Sequence, residues 1–128
     1  MDCVVMGDSI AVGIHQHTHC FKQAAIGRSA SQQAAMAYRI TVDTTVISLG
    51  SNNPMHPELF RDLRRIRYLI NSRKVIWVIP YHRYAAEAVR RVAAENRDGL
   101  LDLVNYKTND KVHPANYREV AREIMREW

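Results

Sequence analysis

Apolar and polar positions alternate along this chain with two different periods. Short, mainly apolar runs, typical of strands covered on both faces, occupy residues 3–6, 21–26, 44–49, 75–79 and 100–104. Between and after these runs, apolar residues recur three and four positions apart, which is the spacing of an amphipathic helix. The pattern therefore predicts that strand and helix alternate five times along the chain.

Capping signals locate several of the predicted helices. Ser29 and Gln32 form a capping-box pair before an alanine-rich helix that is expected to run to about Arg39. Pro57 suits the first turn of the next helix, and a short helix with a loop is expected over residues 10–19. The last helix is predicted from an apolar stripe formed by Tyr117, Val120, Ala121, Ile124, Met125 and Trp128.

This alternation predicts an α/β fold with a mostly parallel sheet, helices on both faces and right-handed crossovers. A length of 128 residues fits one domain over residues 1–128. Sheets of this kind carry their sites beyond the carboxyl ends of the strands. Polar residues that follow each predicted strand are therefore the first candidates for a functional site.

Composition narrows the class of protein. Hydrophobic residues make up 47% of the chain and charged residues 24%, which is ordinary for a soluble globular domain. The formal net charge of +5 favours acidic partners, but the arginines lie along helix-like segments where a solvated face is expected, as in Arg61, Arg64, Arg65 and Arg67. No stretch interleaves basic and aromatic residues, so no nucleic-acid partner is expected.

The two cysteines, Cys3 and Cys20, do not make a disulfide framework. Cys3 lies in the first apolar run, where a reduced, buried thiol is expected. The sequence shows no signal peptide and no apolar run of membrane-spanning length. We therefore expect a cytoplasmic location, or the cytoplasm of a host cell.

A histidine cluster lies between the first two predicted strands. His15, His17, His19 and Cys20 are all residue types that bind metal ions. The segment follows a helix start and has no neighbouring group of carboxylates or further histidines, so a loop near the site or a solvent-facing position is favoured. Structural zinc is the alternative interpretation.

Residues with site chemistry follow four of the predicted strands. Gly7, Asp8 and Ser9 come after the first, Gly27 after the second, Gly50 and Asn52 after the third, and Asp110 and His113 after the fifth. Together they would form a nucleophilic site at one edge of the sheet, with Ser9 as nucleophile, His113 as base and Asp110 orienting the imidazole. The backbone N–H groups of Ser9 and Gly27 and the Asn52 amide are candidate oxyanion donors.

Four of these residues have an alternative interpretation. Ser9 fits the N-cap of the following helix, and Asp8 fits a partner of the positive helix end or a turn former. Asn52 fits a turn before Pro54, and His113 fits a solvated position at a loop-to-helix boundary. For Ser9, Asn52 and His113 the catalytic interpretation is favoured, because these residues follow separate strands in one predicted order. For Asp8 the role at the helix end or in the turn is favoured over a catalytic one.

The sequence resembles the SGNH hydrolases, also called the GDSL esterase/lipase family. The resemblance rests on four blocks: GDS at 7–9, Gly27, GSN at 50–52 and DKVH at 110–113. It implies a flavodoxin-like, three-layer α/β/α sandwich with five parallel strands in the order 2-1-3-4-5. It also implies the roles given above for Ser9, Gly27, Asn52, Asp110 and His113, with no cofactor or metal. The chain departs from the family pattern at Asn53, where Asp is usual, and at Lys111 and Val112, where Gly is common before the His.

The resemblance implies a serine esterase that acts on a small-molecule or glycan ester through an acyl-enzyme. O-Acetyl groups on carbohydrate suit a chain that is short and has little room for a lid. The alternatives are a catalytically silent SGNH-like module used for binding or structure, for example in a virus particle, and a metal- or nucleic-acid-binding module built on the His and Arg clusters.

Overall fold

The computed structural model describes residues 2–127. Its elements follow one another as β1 (Cys3–Gly7), α1 (Ser9–His15), β2 (Phe21–Ala24), α2 (Ala30–Ala35), β3 (Ile40–Thr41), β4 (Thr44–Ser48), α3 (Leu59–Tyr68), β5 (Ile70–Asn71), β6 (Lys74–Ile79), α4 (Arg83–Glu95), β7 (Gly99–Asp102), a 3₁₀ turn (Leu103–Asn105) and α5 (Tyr117–Arg126). Five strands form one parallel sheet in the order β2-β1-β4-β6-β7. The two-residue strands β3 and β5 pair with each other in a separate parallel sheet.

Alternate residues along the central strands point into two apolar cores, one on each face of the sheet. Met6, Ile47 and Trp77 belong to the core that the sheet shares with α2, α3 and α4. Their neighbours Val5 and Ile76 belong to the core shared with α1 and α5. Both faces are covered, which is why these strands are apolar throughout.

The predicted fold class is confirmed. The sheet is parallel and lies between two helical layers, and its five long strands have the predicted order 2-1-3-4-5 when the two short strands are left out. The strands begin and end close to the predicted apolar runs in the centre of the sheet. At the edges of the sheet the strands end earlier than the predicted apolar runs: β2 ends at Ala24 and β7 ends at Asp102.

Two details differ from the sequence-based expectations, and one expectation is not tested. The capping box at Ser29 is present, but α2 ends at Ala35 rather than near Arg39, because the chain leaves the helix to pair Ile40 with Ile70. The strands β3 and β5 were not predicted, since two residues show no period. Trp128, which was assigned to the last apolar stripe, lies outside the described residues.

The expectation of a reduced thiol at Cys3 is wrong. Cys3 and Cys20 form a disulfide that links the start of β1 to the segment before β2. These two parallel strands are neighbours, so residues 17 positions apart in sequence come within 4.8 Å between Cα atoms. The spacing of the two cysteines in the sequence does not predict that they are close in space, because their distance depends on the strand order.

No helix within residues 2–127 is long and apolar enough to cross a membrane.

Candidate active site

Ser9 is positioned by a tight turn at the end of β1. Gly7 has φ of +137°, and a Cβ atom there would lie 1.8 Å from the carbonyl oxygen of Ser48 on β4. A side chain at this position is therefore excluded by space as well as by backbone conformation. The turn brings the Asp8 N–H to 3.1 Å from the same Ser48 oxygen, and Ser9 becomes the first residue of α1.

Asp8, and not Ser9, caps α1. Its Oδ1 atom accepts hydrogen bonds from the backbone N–H groups of Ile10 and Ala11 and from the Ser48 hydroxyl. Its Oδ2 atom is buried and has no hydrogen-bond partner among the described residues. Burial raises the pKa of this carboxyl to about 6, although its three donors act in the opposite direction. Capping by Asp8 leaves the Ser9 hydroxyl available for another partner.

Ser9, His113 and Asp110 form one hydrogen-bonded chain. Ser9 Oγ lies 2.8 Å from His113 Nε2, and His113 Nδ1 lies 2.7 Å from Asp110 Oδ2. The serine and the histidine are 104 positions apart in sequence, so the sheet topology brings them together. All three lie beyond the carboxyl ends of the strands, at the edge where the sequence predicted a site.

The charge of Asp110 decides the direction of these hydrogen bonds. The backbone N–H of His113, its imidazole and the backbone N–H of Val112 hold the pKa of Asp110 well below its usual range. The carboxylate is therefore ionised and accepts only, so His113 carries its proton on Nδ1. His113 Nε2 then accepts the hydrogen bond from the Ser9 hydroxyl, as a general base must.

A compact turn holds Asp110 and His113 together. Asp110 Oδ1 accepts from the N–H groups of Val112 and His113, at 2.9 and 2.7 Å. The Thr108 hydroxyl lies 2.6 Å from the carbonyl oxygen of His113 and 3.0 Å from the N–H of Lys111. Lys111 has φ of +65°, which is strained for any residue with a side chain. This geometry explains how residues three positions apart can bond through their side chains.

Gly27 and Asn52 lie on two loops that contact each other. The Asn52 amide Nδ2 donates to the carbonyl oxygen of Arg28 at 3.0 Å, which ties the loop after β4 to the loop after β2. Gly27 has φ of +81°, a conformation that favours glycine. An amide carries two N–H bonds, so Asn52 keeps one donor beyond the one used on Arg28.

Arg28 anchors the loop that contains Gly27. Its Nη1 atom donates to the side chains of Gln23, at 2.8 Å, and Gln33, at 3.0 Å. Gln33 is buried although it is polar, and the bond from Arg28 satisfies its side-chain oxygen. Sequence reasoning missed this support, because its three members lie on β2, on the following loop and in α2.

Tyr117 is a further residue that sequence reasoning assigned only to an apolar stripe. Its ring packs against α1 at Gly13, where a Cβ atom would lie 2.4 Å from the ring. Burial, with the negative charges of Asp8 and Asp110, raises the pKa of Tyr117 to about 12, so its hydroxyl stays neutral. A glycine within an otherwise apolar helix was the available signal for this close contact.

Two open clefts flank the catalytic candidates. One, of about 530 Å³, lies beside His113 and is lined in part by Ser51, Tyr81, His82 and Lys111. The other, of about 460 Å³, is lined by the loop that contains Gly27 together with Met36 of the adjoining segment. Volumes of this size are typical of small-molecule sites.

The histidine cluster and the arginine group are not part of this site. His15 Nε2 donates to the Cys20 carbonyl oxygen at 2.8 Å, and the Cys20 sulfur is in the disulfide. Within the part of the chain that the structure describes, no three His, Cys, Asp or Glu side chains are grouped to hold a metal ion. The arginines of α3 bond to neighbours on the protein itself, which are Glu58 for Arg61, Ala34 for Arg65, Glu95 for Arg64 and Asp98 for Arg67.

The sequence matches no protein-family model and no curated protein. The structure nevertheless matches solved structures over nearly its whole length. A member of the lipolytic protein G-D-S-L family from Veillonella parvula superposes with a TM-score of 0.64 at 15% identity, covering 98% of this chain and 97% of that one. This chain has the SGNH hydrolase fold.

Two further structures share the SGNH fold with this chain. Est24, a carbohydrate acetylesterase from Sinorhizobium meliloti, matches with a TM-score of 0.64 at 11% identity, covering 99% of each chain. The C-terminal catalytic domain of peptidoglycan O-acetyltransferase A from Streptococcus pneumoniae matches with a TM-score of 0.65 at 17% identity, covering 98% of this chain and 90% of that one. The resemblance inferred from the four sequence blocks is thus confirmed at the level of the fold.

Proposed function

We propose that this protein is a serine esterase of the SGNH type that hydrolyses small carboxylic esters. The observation that carries the proposal is the hydrogen-bonded chain from Ser9 through His113 to Asp110. A serine hydroxyl is a weak nucleophile by itself and needs a base at hydrogen-bond distance. The Ser9 hydroxyl donates to a neutral imidazole whose other nitrogen is held by a carboxylate, which is the arrangement that nucleophilic catalysis needs.

The proposed reaction proceeds in two halves. Ser9 Oγ attacks the ester carbonyl carbon while its proton moves to His113 Nε2, which gives a tetrahedral intermediate. His113 then returns the proton to the leaving alcohol oxygen as the carbon–oxygen bond breaks, and an acyl-enzyme remains. Water, deprotonated by His113, attacks the acyl carbon, and release of the acid restores Ser9.

Three donors are proposed to stabilise the oxyanion: the backbone N–H groups of Ser9 and Gly27 and the free N–H of the Asn52 amide. The hydrogen bond from Asn52 to Arg28 supports this assignment, because it fixes the amide against the loop that contains Gly27. The position of Ser9 in the first turn of α1 leaves its N–H without a partner inside the helix.

A carbohydrate acetyl ester is the favoured substrate class. The site is open, with the His113 side chain 39% exposed, so a small ester on a larger molecule can reach Ser9. The carbohydrate acetylesterase with the same fold supports this choice. No membrane or nucleic-acid partner is part of the proposal.

Hydrolysis of p-nitrophenyl acetate tests the proposal. We expect the wild-type protein to release nitrophenol with saturable kinetics and Ser9→Ala to lose at least about a thousandfold in kcat. Ser72→Ala is the matched control, because Ser72 comes just before β6, at the edge of the sheet opposite to Ser9, and its hydroxyl contacts Thr45. The control should hydrolyse the ester as fast as wild type. If wild type is no faster than Ser9→Ala, the chain is a catalytically silent SGNH module.

A further inference from the structure

The cleft beside His113 is lined by residues that directly precede the candidate site residues His113 and Asn52. Lys111 and Val112, which precede His113 in the turn, line one wall, and Ser51, which precedes Asn52, lines another. Tyr81 and His82, on the loop after β6, line a third. The inference that follows rests on the proposed function, because it concerns the substrate of that same site.

The leaving alcohol belongs on the cleft side of Ser9. In the proposed mechanism His113 protonates the leaving oxygen, while the oxyanion faces the donors of Gly27 and Asn52. The alcohol portion of the ester must therefore extend past His113, and the cleft that begins at Lys111 and Val112 is the space next to it. The acyl group stays on the other side, near Gly27.

His82 and Lys111 supply hydrogen-bond donors to this cleft, which they line. His82 Nδ1 accepts the N–H of Ala85 at 3.4 Å, so the neutral ring carries its proton on Nε2 and can donate. The hydroxyl of Tyr81 already donates to the Tyr106 carbonyl oxygen at 3.0 Å. No aspartate or glutamate lines the cleft among residues 2–127, and Lys111 is its cation. A lining of this kind favours a ligand with acceptor or anionic oxygens.

The Lys111 ammonium is available for such a ligand. It forms no salt bridge within the described chain, whereas Arg83 and Arg90 both pair with Asp102. The neighbouring Asp110 carboxylate already accepts hydrogen bonds at both oxygens, from Val112 and His113. Lys111 is therefore a charged donor in the cleft wall with no partner of its own.

The backbone of Lys111 is held by the turn that contains Asp110 and His113. Its φ of +65° costs less for glycine than for any residue with a Cβ atom. The turn that fixes His113 also fixes the Lys111 backbone, so the flexible Lys111 side chain starts from a set position beside the candidate base.

We propose that the cleft binds the alcohol portion of an acidic ester, an O-acylated sugar that carries a carboxylate, and that Lys111 selects it by pairing with that carboxylate. Tyr81 and Val112 supply apolar surface for the sugar ring, and His82 donates to its oxygens. The net charge of +5 adds long-range attraction for an acidic glycan. Lys111 is thus a specificity determinant and not a catalytic residue.

Two matched esters test the assignment: 4-acetoxybenzoate, which carries a carboxylate on its alcohol portion, and its neutral amide, 4-acetoxybenzamide. We expect wild type to prefer the acidic ester by about three- to tenfold in kcat/KM at low ionic strength. Lys111→Met should remove the preference and Lys111→Glu should reverse it, while Lys111→Arg should keep it. Sodium chloride at about 1 M should weaken the preference, since it screens an exposed ion pair.

Lys22→Met is the matched control, because it removes the same charge from an exposed position on the edge strand β2. Its preference should equal that of wild type. A second experiment compares acetate release from acetylated polygalacturonate, which is acidic, and from acetylated xylan. Wild type should release acetate faster from the acidic polymer, and Lys111→Met should lose this preference.

The outcomes separate this inference from the proposed function. If wild type hydrolyses 4-acetoxybenzamide but shows no preference for the acidic ester, or if Lys111→Met and Lys22→Met change the preference equally, Lys111 is not a selector. A preference for the acidic aryl ester without one for the acidic polymer overturns the assignment to a sugar. If wild type hydrolyses none of the esters, the proposed function fails, and this inference fails with it.

Discussion

In the proposed mechanism, Asp110 influences Ser9 by fixing which ring nitrogen of His113 carries the proton. Its carboxylate accepts a hydrogen bond from the protonated Nδ1 of His113, and Nε2 is then free to accept one from the Ser9 hydroxyl. The backbone bonds from Val112 and His113 go to the other oxygen, Oδ1. The residue thus has two separable functions, one in the turn and one at the imidazole.

Asp110→Asn separates these two functions. The Asn carbonyl oxygen can still accept from the two backbone N–H groups, but its NH₂ group then faces His113 Nδ1 and favours the tautomer with the proton on Nε2. We expect kcat for p-nitrophenyl acetate to fall by about a thousandfold or more while the melting temperature changes little. A kcat within tenfold of wild type, in a folded variant, would contradict the proposed role.

Asp8 is the second residue whose ionisation matters, and it affects stability. Its pKa is raised by burial from 3.8 to about 6, so between these values the folded chain keeps a proton that the unfolded chain has lost. Stability therefore falls as the pH rises through this window. A shift of this size corresponds to about 3 kcal/mol.

Asp8→Asn should remove this dependence, because the amide does not titrate and its oxygen can still cap α1. We expect the unfolding free energy of wild type relative to Asp8→Asn to fall by up to about 3 kcal/mol between about pH 4 and about pH 6. Urea unfolding of both proteins at each pH measures this difference in unfolding free energy. Asp110 is present in both proteins, so its own titration contributes equally to each and does not change the difference. A difference that stays constant with pH would contradict the raised pKa.

At the scale of elements, the disulfide fastens α1 to the sheet. Cys3 and Cys20 enclose β1, the turn at Gly7 and the whole of α1, which begins at Ser9. Cross-linking a segment of this length lowers the entropy of the unfolded chain, which corresponds to about 3 kcal/mol. The disulfide thus joins the two ends of the segment that contains α1, the helix in which the candidate nucleophile Ser9 lies.

Reduction of the disulfide should lower the unfolding free energy by about 3 kcal/mol in urea titrations with and without dithiothreitol. The double variant Cys3→Ala/Cys20→Ala is the control, since the reductant should leave it unchanged. Detection of free thiols in the folded, non-reduced protein would contradict the bond. Disulfides persist mainly in oxidising compartments, so the redox state of these cysteines in the cell also tests the predicted cytoplasmic location.

The elements that the sequence predicted well are those whose pattern is local. The apolar runs of β1, β4 and β6 and the stripe of α5 are long enough to show their period. The strands β3 and β5 were missed because they consist of two residues each and depend on each other for pairing. The disulfide was missed for a similar reason, since it follows from the pairing of β1 with β2.

At the scale of the whole molecule, the parallel sheet brings residues that are far apart in sequence close together in space. Ser9 follows β1, Asn52 follows β4 and His113 lies beyond β7, and the carboxyl ends of these strands share one edge. Motif order therefore sufficed to select Ser9, His113 and Asp110 as neighbours. It could not find the bond from Asn52 to Arg28 or the burial of Asp8, because these depend on loop conformation and on side-chain packing.

The central claim is that Ser9 is an activated nucleophile in the folded protein. The most direct test is reaction with a fluorophosphonate at neutral pH, followed by intact mass measurement and peptide mapping. We expect one adduct per wild-type chain, on Ser9, and none in Ser9→Ala. The absence of an adduct on the folded wild-type protein, or an adduct of equal yield in Ser9→Ala, would contradict the account.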